Sequence, residues 1–144
     1  MAILLAVCKS ERKENPKYPV EHAYIDPHGG VRGDSHYGTS TRQLSLLRQE
    51  DVQEAASRSG FQFPYGSLAE NLRIEGIPEN ALSPGKRLQI GSKVLLEVTE
   101  KGKRPGEPHS YDYHGWCLLP EVGYFLRVLS GGEIAPGDEV HVLK

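Results

Sequence analysis

The sequence predicts a mainly β domain with one or two short helices, its strands closed or partly closed into a barrel. Three features of the 144 residues carry this expectation. Short runs that alternate polar and apolar residues recur along the chain, as half-buried strands require. Glycines and prolines, 16 and 10 of them, punctuate those runs as turns. The runs follow one another with a single convincing helix among them. That argues against a doubly wound sheet and for closure of about six or seven strands into a barrel.

Residues 1–8, MAILLAVC, lack a preceding basic region, run too few apolar residues for a secretory signal, and are stopped by Lys9 well short of a membrane span. They read as a buried strand with Cys8 packing at its end. Residues 10–43 are rich in proline and glycine and read as a long loop with one short strand near residues 22–25. Residues 42–47, RQLSLL, form a strand turning Leu44 and Leu46 to the core.

Residues 50–59 make the helix. Glu50 and Asp51 suit its N-terminus, Val52, Ala55 and Ala56 give a narrow apolar stripe, Arg58 sits in the last turn, and Gly60 supplies a left-handed stop. Residues 67–75, SLAENLRIE, extend into a strand through Leu72 and Ile74, with Asn71 holding a turn through its own side chain as the plain alternative to a binding role. Pro84-Gly85 and Pro136-Gly137 each suit a type II turn, whose second central residue needs positive φ, and each launches a strand. Residues 93–100, KVLLEVTE, put Val94, Leu96 and Val98 on one face; Leu95 on the other implies that this face too is partly covered.

The chain reads as one domain over residues 1–144. With 38% hydrophobic and 25% charged residues and a net charge of -2, it has the make-up of an ordinary globular protein. That balance gives no electrostatic reason to expect a nucleic-acid backbone or an anionic membrane as partner. Two cysteines without sign of an oxidising compartment are expected to be free thiols in the cytoplasm.

Chemistry concentrates in residues 107–128, EPHSYDYHGWCLLPEVGYFLRV, where His109, Asp112, His114 and Cys117 stand close together. A thiol is a nucleophile or soft-metal ligand only as thiolate, and a nearby imidazolium or amide-rich turn favours that form. Gly115 and Pro120 argue for an irregular loop leading into a short turn rather than a long helix. Three readings of Cys117 stand: a thiol activated by His109 or His114, an inert thiol packed between Trp116 and Leu118, or one ligand of a zinc site with His109, Asp112 and His114. A second candidate lies at residues 29–38, GGVRGDSHYG. There closely spaced glycines let N–H groups converge on an anion and Arg32 and Arg42 supply charge; a set of tight turns with Asp34 bonding local amides is the structural alternative.

The order of these pieces resembles the MOSC family, named for the C-terminal domain of molybdenum cofactor sulfurases, and within it the small single-domain members. The matching pieces are VRGDSHYG (31–38), RQLSLL (42–47), ENL (70–72), LQIGSKV (88–94), GWCLLPEVG (115–123), RVL (127–129), GGE (131–133) and PGD (136–138). The resemblance implies a barrel like that of pyruvate kinase, and a cysteine that carries sulfur as persulfide or binds the molybdenum of a pterin cofactor. Some relatives reduce N-hydroxylated compounds. Cys117 stands where small members carry their cysteine, and Gly33, Asp34, His36, Arg42, Gln43, Glu70 and Asn71 occupy motif positions. Two departures stand out: Pro108 replaces a second cysteine, and Ala69 replaces the glycine before Glu-Asn-Leu.

Together these imply a site in which Cys117 is nucleophile or metal ligand with His109 and His114 beside it. Arg32, Gly33, Asp34, His36, Arg42, Gln43, Glu70 and Asn71 would hold a molybdenum cofactor. A small-molecule ligand or molybdopterin is the expected occupant. No flavin, haem or iron–sulfur motif is present, so redox work would need an electron-donor protein and sulfur transfer a cysteine desulfurase. The contrasting expectation is a non-catalytic barrel that binds a small anion or a partner protein.

Overall fold

A computed structural model describes residues 2–12, 16–35, 37–38, 42–102 and 113–143. Its elements are β1 Ala2–Lys9, β2 Tyr18–Val20, β3 Ala23–Asp26, β4 Gly30–Val31, β5 Leu44–Arg48, α1 Gln49–Ser59, β6 Leu72–Glu75, β7 Arg87–Ile90, β8 Val94–Lys101, α2 Leu119–Val122, β9 Tyr124–Ser130, β10 Gly132–Ile134 and β11 Glu139–Leu143. Seven strands close into a barrel in the order β11-β7-β8-β9-β5-β6-β1, the ring completed by pairing of β1 with β11. Every junction in the ring is antiparallel except β5–β6, which is parallel. Closure removes the exposed edges that an open sheet would leave.

β1 is longer than any one neighbour. Along one edge it pairs with β6; along the other its start pairs with β11 and its end, Val7 to Lys9, with β2. β2 is thus a short outer strand, blunted by Pro19. A separate three-stranded sheet, β10-β3-β4, lies beside the barrel.

The interior follows the period of two. On β8, Val94, Leu96 and Val98 are buried, and Leu95 and Glu97 between them are half-covered, as the alternation predicts. On β5, Leu44 and Leu46 enter the barrel core while Leu47 faces a second apolar cluster with Val52 and Ala55 of α1, Phe63, Leu68, Leu118 and Phe125. Cover on both faces explains why all five β5 residues are buried. Both Pro-Gly turns form as predicted, with Gly85 at φ 94° and Gly137 at φ 98°.

The ring has seven strands, as expected, but not the seven runs read from the sequence, since β3 lies outside it and β9 within it. Besides the runs read from the sequence, β2, β4, β9 and β10 are formed. β9 lies in the stretch read for its chemistry, where Tyr124, Leu126 and Val128 point into the barrel and Phe125 joins the outer cluster.

Candidate functional site

At the head of the parallel β5–β6 pair a buried polar cluster forms, and Asn71 is its centre. The Asn71 backbone N–H donates to Ser45 O and Ser45 Oγ at 3.1 and 3.0 Å, its Oδ1 accepts from Ser45 N at 3.0 Å, and its Nδ2 donates to Cys8 O at 3.0 Å. The Asn71 carbonyl in turn accepts from Cys8 N at 2.7 Å. Asn71 does not hold a local turn; it laces β1 and β5 to the start of β6.

Asp34 lies against this cluster. Its Oδ1 accepts from Ser10 N at 3.0 Å and Lys17 Nζ at 2.7 Å, and both side chains of the ion pair are buried. Burial pushes the Asp34 carboxyl up, but the Lys17 charge and hydrogen bonds from Lys17, Ser10 and the Asn71 side chain outweigh it, leaving the group below the ordinary aspartate range. One backbone partner of Asp34, Ser10, is remote in sequence. Asp26 plays the local part, accepting from His28 N at 2.8 Å, Arg32 Nη2 at 3.2 Å and the Tyr37 hydroxyl at 3.0 Å.

Beside Asn71 the buried polarity continues. Glu70 accepts from Leu68 N and Gly66 N at 3.1 and 3.2 Å and is ion-paired with Arg73, both side chains buried. Gly66 is held at φ 84° with its Cα against Lys17, and a Cβ there would come within 2.2 Å of Lys17 O. No larger residue fits.

The thiol-bearing segment meets the second cluster. Tyr113 and Trp116 exchange backbone hydrogen bonds at 2.7 and 2.8 Å around His114 and Gly115, at φ 50° and 85°. Positive φ at both central residues makes this a type I′ turn, the short turn the sequence suggested. His114 is exposed at its tip, its ring stacked on Phe61 at 5.2 Å and edge-on to Tyr113 at 4.4 Å. Tyr113 and Trp116 pack edge-on against Phe63 at 5.6 and 6.2 Å, and Arg58 lies over the Trp116 ring. Cys117 follows at once, half-buried, before the buried Leu118.

The two free thiols differ sharply. Cys8 is fully buried and its thiol is pushed up to about 12, first by burial and then by the Glu70 charge, so it packs, as expected. Cys117 reaches the surface.

The other expected site residues divide by position. Asp34, Gln43, Glu70 and Asn71 are buried and bonded within the fold; Gln43 Oε1, for example, accepts from Val128 N at 2.7 Å. Arg32 is exposed, paired with Asp26 and stacked 4.1 Å from the Tyr24 ring, beside exposed Gly33. Arg42 grips Glu100 through two bonds of 2.8 and 2.9 Å. His36, His109, Asp112 and Pro108 lie outside the described residues, so the histidine activation of Cys117, the zinc set and the expected meeting of the two loops fall largely there. Among the described residues no three His, Cys, Asp or Glu side chains group as metal ligands, and no helix is long and apolar enough to cross a membrane.

A family model described as the MOSC domain matches residues 33–108. Among crystal structures, the fold is similar to the YuaD protein from Bacillus subtilis, at a TM-score of 0.76 and 21% identity, covering 100% of this chain and 98% of that one. It is similar also to YiiM from Geobacillus stearothermophilus, at 0.67 and 20% identity over 99% and 73% of the two chains. YiiM from Escherichia coli gives 0.72 and 18% over 100% and 70%. No curated protein matches. Likeness at these identities shows a shared fold.

Proposed function

The chain belongs to the MOSC domain family, and from that membership we propose that Cys117 is its working thiol, accepting sulfane sulfur as a persulfide for delivery to a metal centre. The observation that supports this reading is the contrast between the two cysteines: Cys8 is sealed and protonated, while Cys117 is half-buried just after the exposed His114-Gly115 turn. In the step proposed, the Cys117 thiolate attacks the outer sulfur of a persulfide on a cysteine desulfurase. The new S–S bond forms at Cys117 as the donor's S–S bond breaks, and the donor cysteine leaves as thiolate with the electron pair. No net oxidant is needed. A reducing cytoplasm suits both free thiols.

A molybdenum cofactor would add a soft metal and a phosphate to be held. Cys117 is the soft ligand that fits the metal, and the exposed cation Arg32 with the Gly33 backbone fits the phosphate, whereas Arg42 is already paired with Glu100. Asp34, Gln43, Glu70 and Asn71 do not fit as direct contacts, since each is buried and hydrogen-bonded inside the fold. Such a group, when bound, supplies redox chemistry at the metal, including reduction of N-hydroxylated compounds with electrons from a partner protein. The chain's own part is to present the thiol and pair the phosphate charge.

The inward use of those four side chains favours one other reading, a barrel that binds a small anion or partner protein without catalysis. The test is persulfide loading from a desulfurase and cysteine, read by intact mass, on protein with Cys8 replaced by alanine. One added sulfur that is lost in Cys117→Ser supports the carrier. Loading that persists in that variant, or its absence with the thiol intact, leaves the binding module.

A further inference from the structure

Beside the outer strand β2 and the loop after α1 opens a cleft of about 440 Å³, lined by Pro19, Gln49, Phe63, Pro64, Tyr65 and Arg73. Its volume lies within the roughly 300–1,000 Å³ of small-molecule sites. The thiol chemistry makes no use of it.

What the cleft offers is set by Arg73. Nε and Nη2 of its guanidinium donate to Glu70, Nη1 to Gln49 Oε1 and Phe63 O at 3.1 and 3.4 Å, and Nη2 to Pro64 O at 3.3 Å. All five N–H groups are thereby engaged. With its charge cancelled by Glu70 and its side chain 1% exposed, Arg73 offers a ligand neither charge nor a donor. It acts by fixing its neighbours.

Two neighbours face the cleft as a result. The Tyr65 ring is held 5.1 Å from the guanidinium carbon, yet Tyr65 remains 40% exposed, a fixed aromatic platform. Gln49 is held through Oε1 on a group that only donates, which settles the amide's orientation and leaves Nε2 as a directed donor without a protein partner among the described residues. Pro19, Pro64 and Phe63 complete the lining with little side-chain entropy left to lose on binding.

We infer that this cleft binds a neutral, flat heteroaromatic ring carrying a hydrogen-bond acceptor, the ring stacked on Tyr65 and the acceptor taking a hydrogen from Gln49 Nε2. The inference is independent of sulfur transfer at Cys117. Phe63 nonetheless connects the two places, since it lines the cleft and packs edge-on against Trp116, the residue before the thiol.

The experiment is a two-dimensional NMR titration of the full chain with nicotinamide as probe, beside its saturated counterpart cyclohexanecarboxamide and the anion benzoate. Nicotinamide should shift the Gln49 side-chain amide and the Tyr65 signals. Cyclohexanecarboxamide and benzoate should bind at least roughly tenfold more weakly, about 1.4 kcal/mol. Tyr65→Leu and Gln49→Glu, each with its barrel signals in place, should lose nicotinamide to a similar degree. No shift up to the solubility limit, equal binding of the saturated amide, shifts centred elsewhere, or full binding in both variants would overturn it.

Discussion

The side-chain amide of Asn71 donates to the backbone carbonyl of Cys8 at 3.0 Å, joining the head of β6 to the end of β1 across 63 residues of sequence. With its Oδ1 on Ser45 N, the same side chain spans three neighbouring strands of the barrel. Removing it strands a buried carbonyl and a buried N–H, each worth about 1–3 kcal/mol when left unpaired. Asn71→Ala should therefore destabilise the barrel by about 2–4 kcal/mol in urea unfolding, with Ser45→Ala costing less because the Asn71–Cys8 ties survive. Equal stability of Asn71→Ala and the parent would show that water replaces the amide.

The Lys17–Asp34 pair gives the acid limb of stability. Asp34 sits below its ordinary value of 3.8 in the folded chain, so between that folded value and 3.8 the unfolded state binds more protons. The contribution is fully present above the unfolded value and is lost as pH falls through the folded one. Lys17→Met should cost about 3–5 kcal/mol at neutral pH by leaving a buried carboxylate unpaired. Burial then raises Asp34 unopposed by the lysine, so the variant's deficit should shrink as pH falls and the carboxyl protonates. Urea unfolding of both proteins from pH 7 to 3 measures this; a deficit constant with pH would place the role of Lys17 in packing.

The thiols should separate under alkylation. With Cys8 buried and pushed up to about 12, iodoacetamide at pH 8 should modify native protein once, at Cys117, and a second time only after denaturation. Peptide mass mapping reads the site. Modification of Cys8 in native protein would reveal opening of β1 from its neighbours on the labelling timescale.

Two glycines should respond differently to alanine. At Gly115, φ is 85° and a Cβ meets nothing within 4 Å, so Gly115→Ala pays backbone strain alone, about 1–2 kcal/mol. At Gly66 the Cβ would also meet Lys17 O at 2.2 Å, so Gly66→Ala must push β2 away and should cost more. Thermal unfolding ranks them, and the reverse order would mean that the Gly66 loop yields more readily than the type I′ turn.

These contrasts show where sequence stopped informing structure. β8 was legible because Val94, Leu96 and Val98 keep a strict period of two, and α1 because acidic residues, apolar spacing and Gly60 agree. β9 was hidden because Tyr124, Phe125 and Leu126 are all buried, on two different faces, and a continuous apolar run has no period to read. The roles of Asn71 and Asp34 were hidden for another reason. Cys8, Ser10 and Lys17 become their neighbours only when β1 closes against β6, and no local spacing encodes that. The His114-Gly115 turn did carry a signal, since two adjacent residues tolerant of positive φ favour a two-residue hairpin.

Ala69 offers the sharpest test of how this chain departs from its family pattern. It occupies the place of a glycine and adopts φ 67°, a left-handed conformation that costs an alanine about 1–2 kcal/mol. The residue is only 8% exposed and its methyl packs in the second cluster, which returns about 0.8 kcal/mol. Glycine would relieve the strain but lose the methyl contact and, through the freer unfolded chain, a further ~0.5–1 kcal/mol. The opposing terms nearly cancel, so Ala69→Gly should leave stability within about 1 kcal/mol of the parent. Ala55→Gly, at a site also buried but helical, has no strain to relieve and should lose about 1 kcal/mol of helix propensity together with the packing of its methyl. Paired urea titrations decide the matter. A large loss at Ala69→Gly would mean that the methyl, packed in the second cluster with Val52 and Ala55 of α1, has become part of how this barrel holds its outer layer.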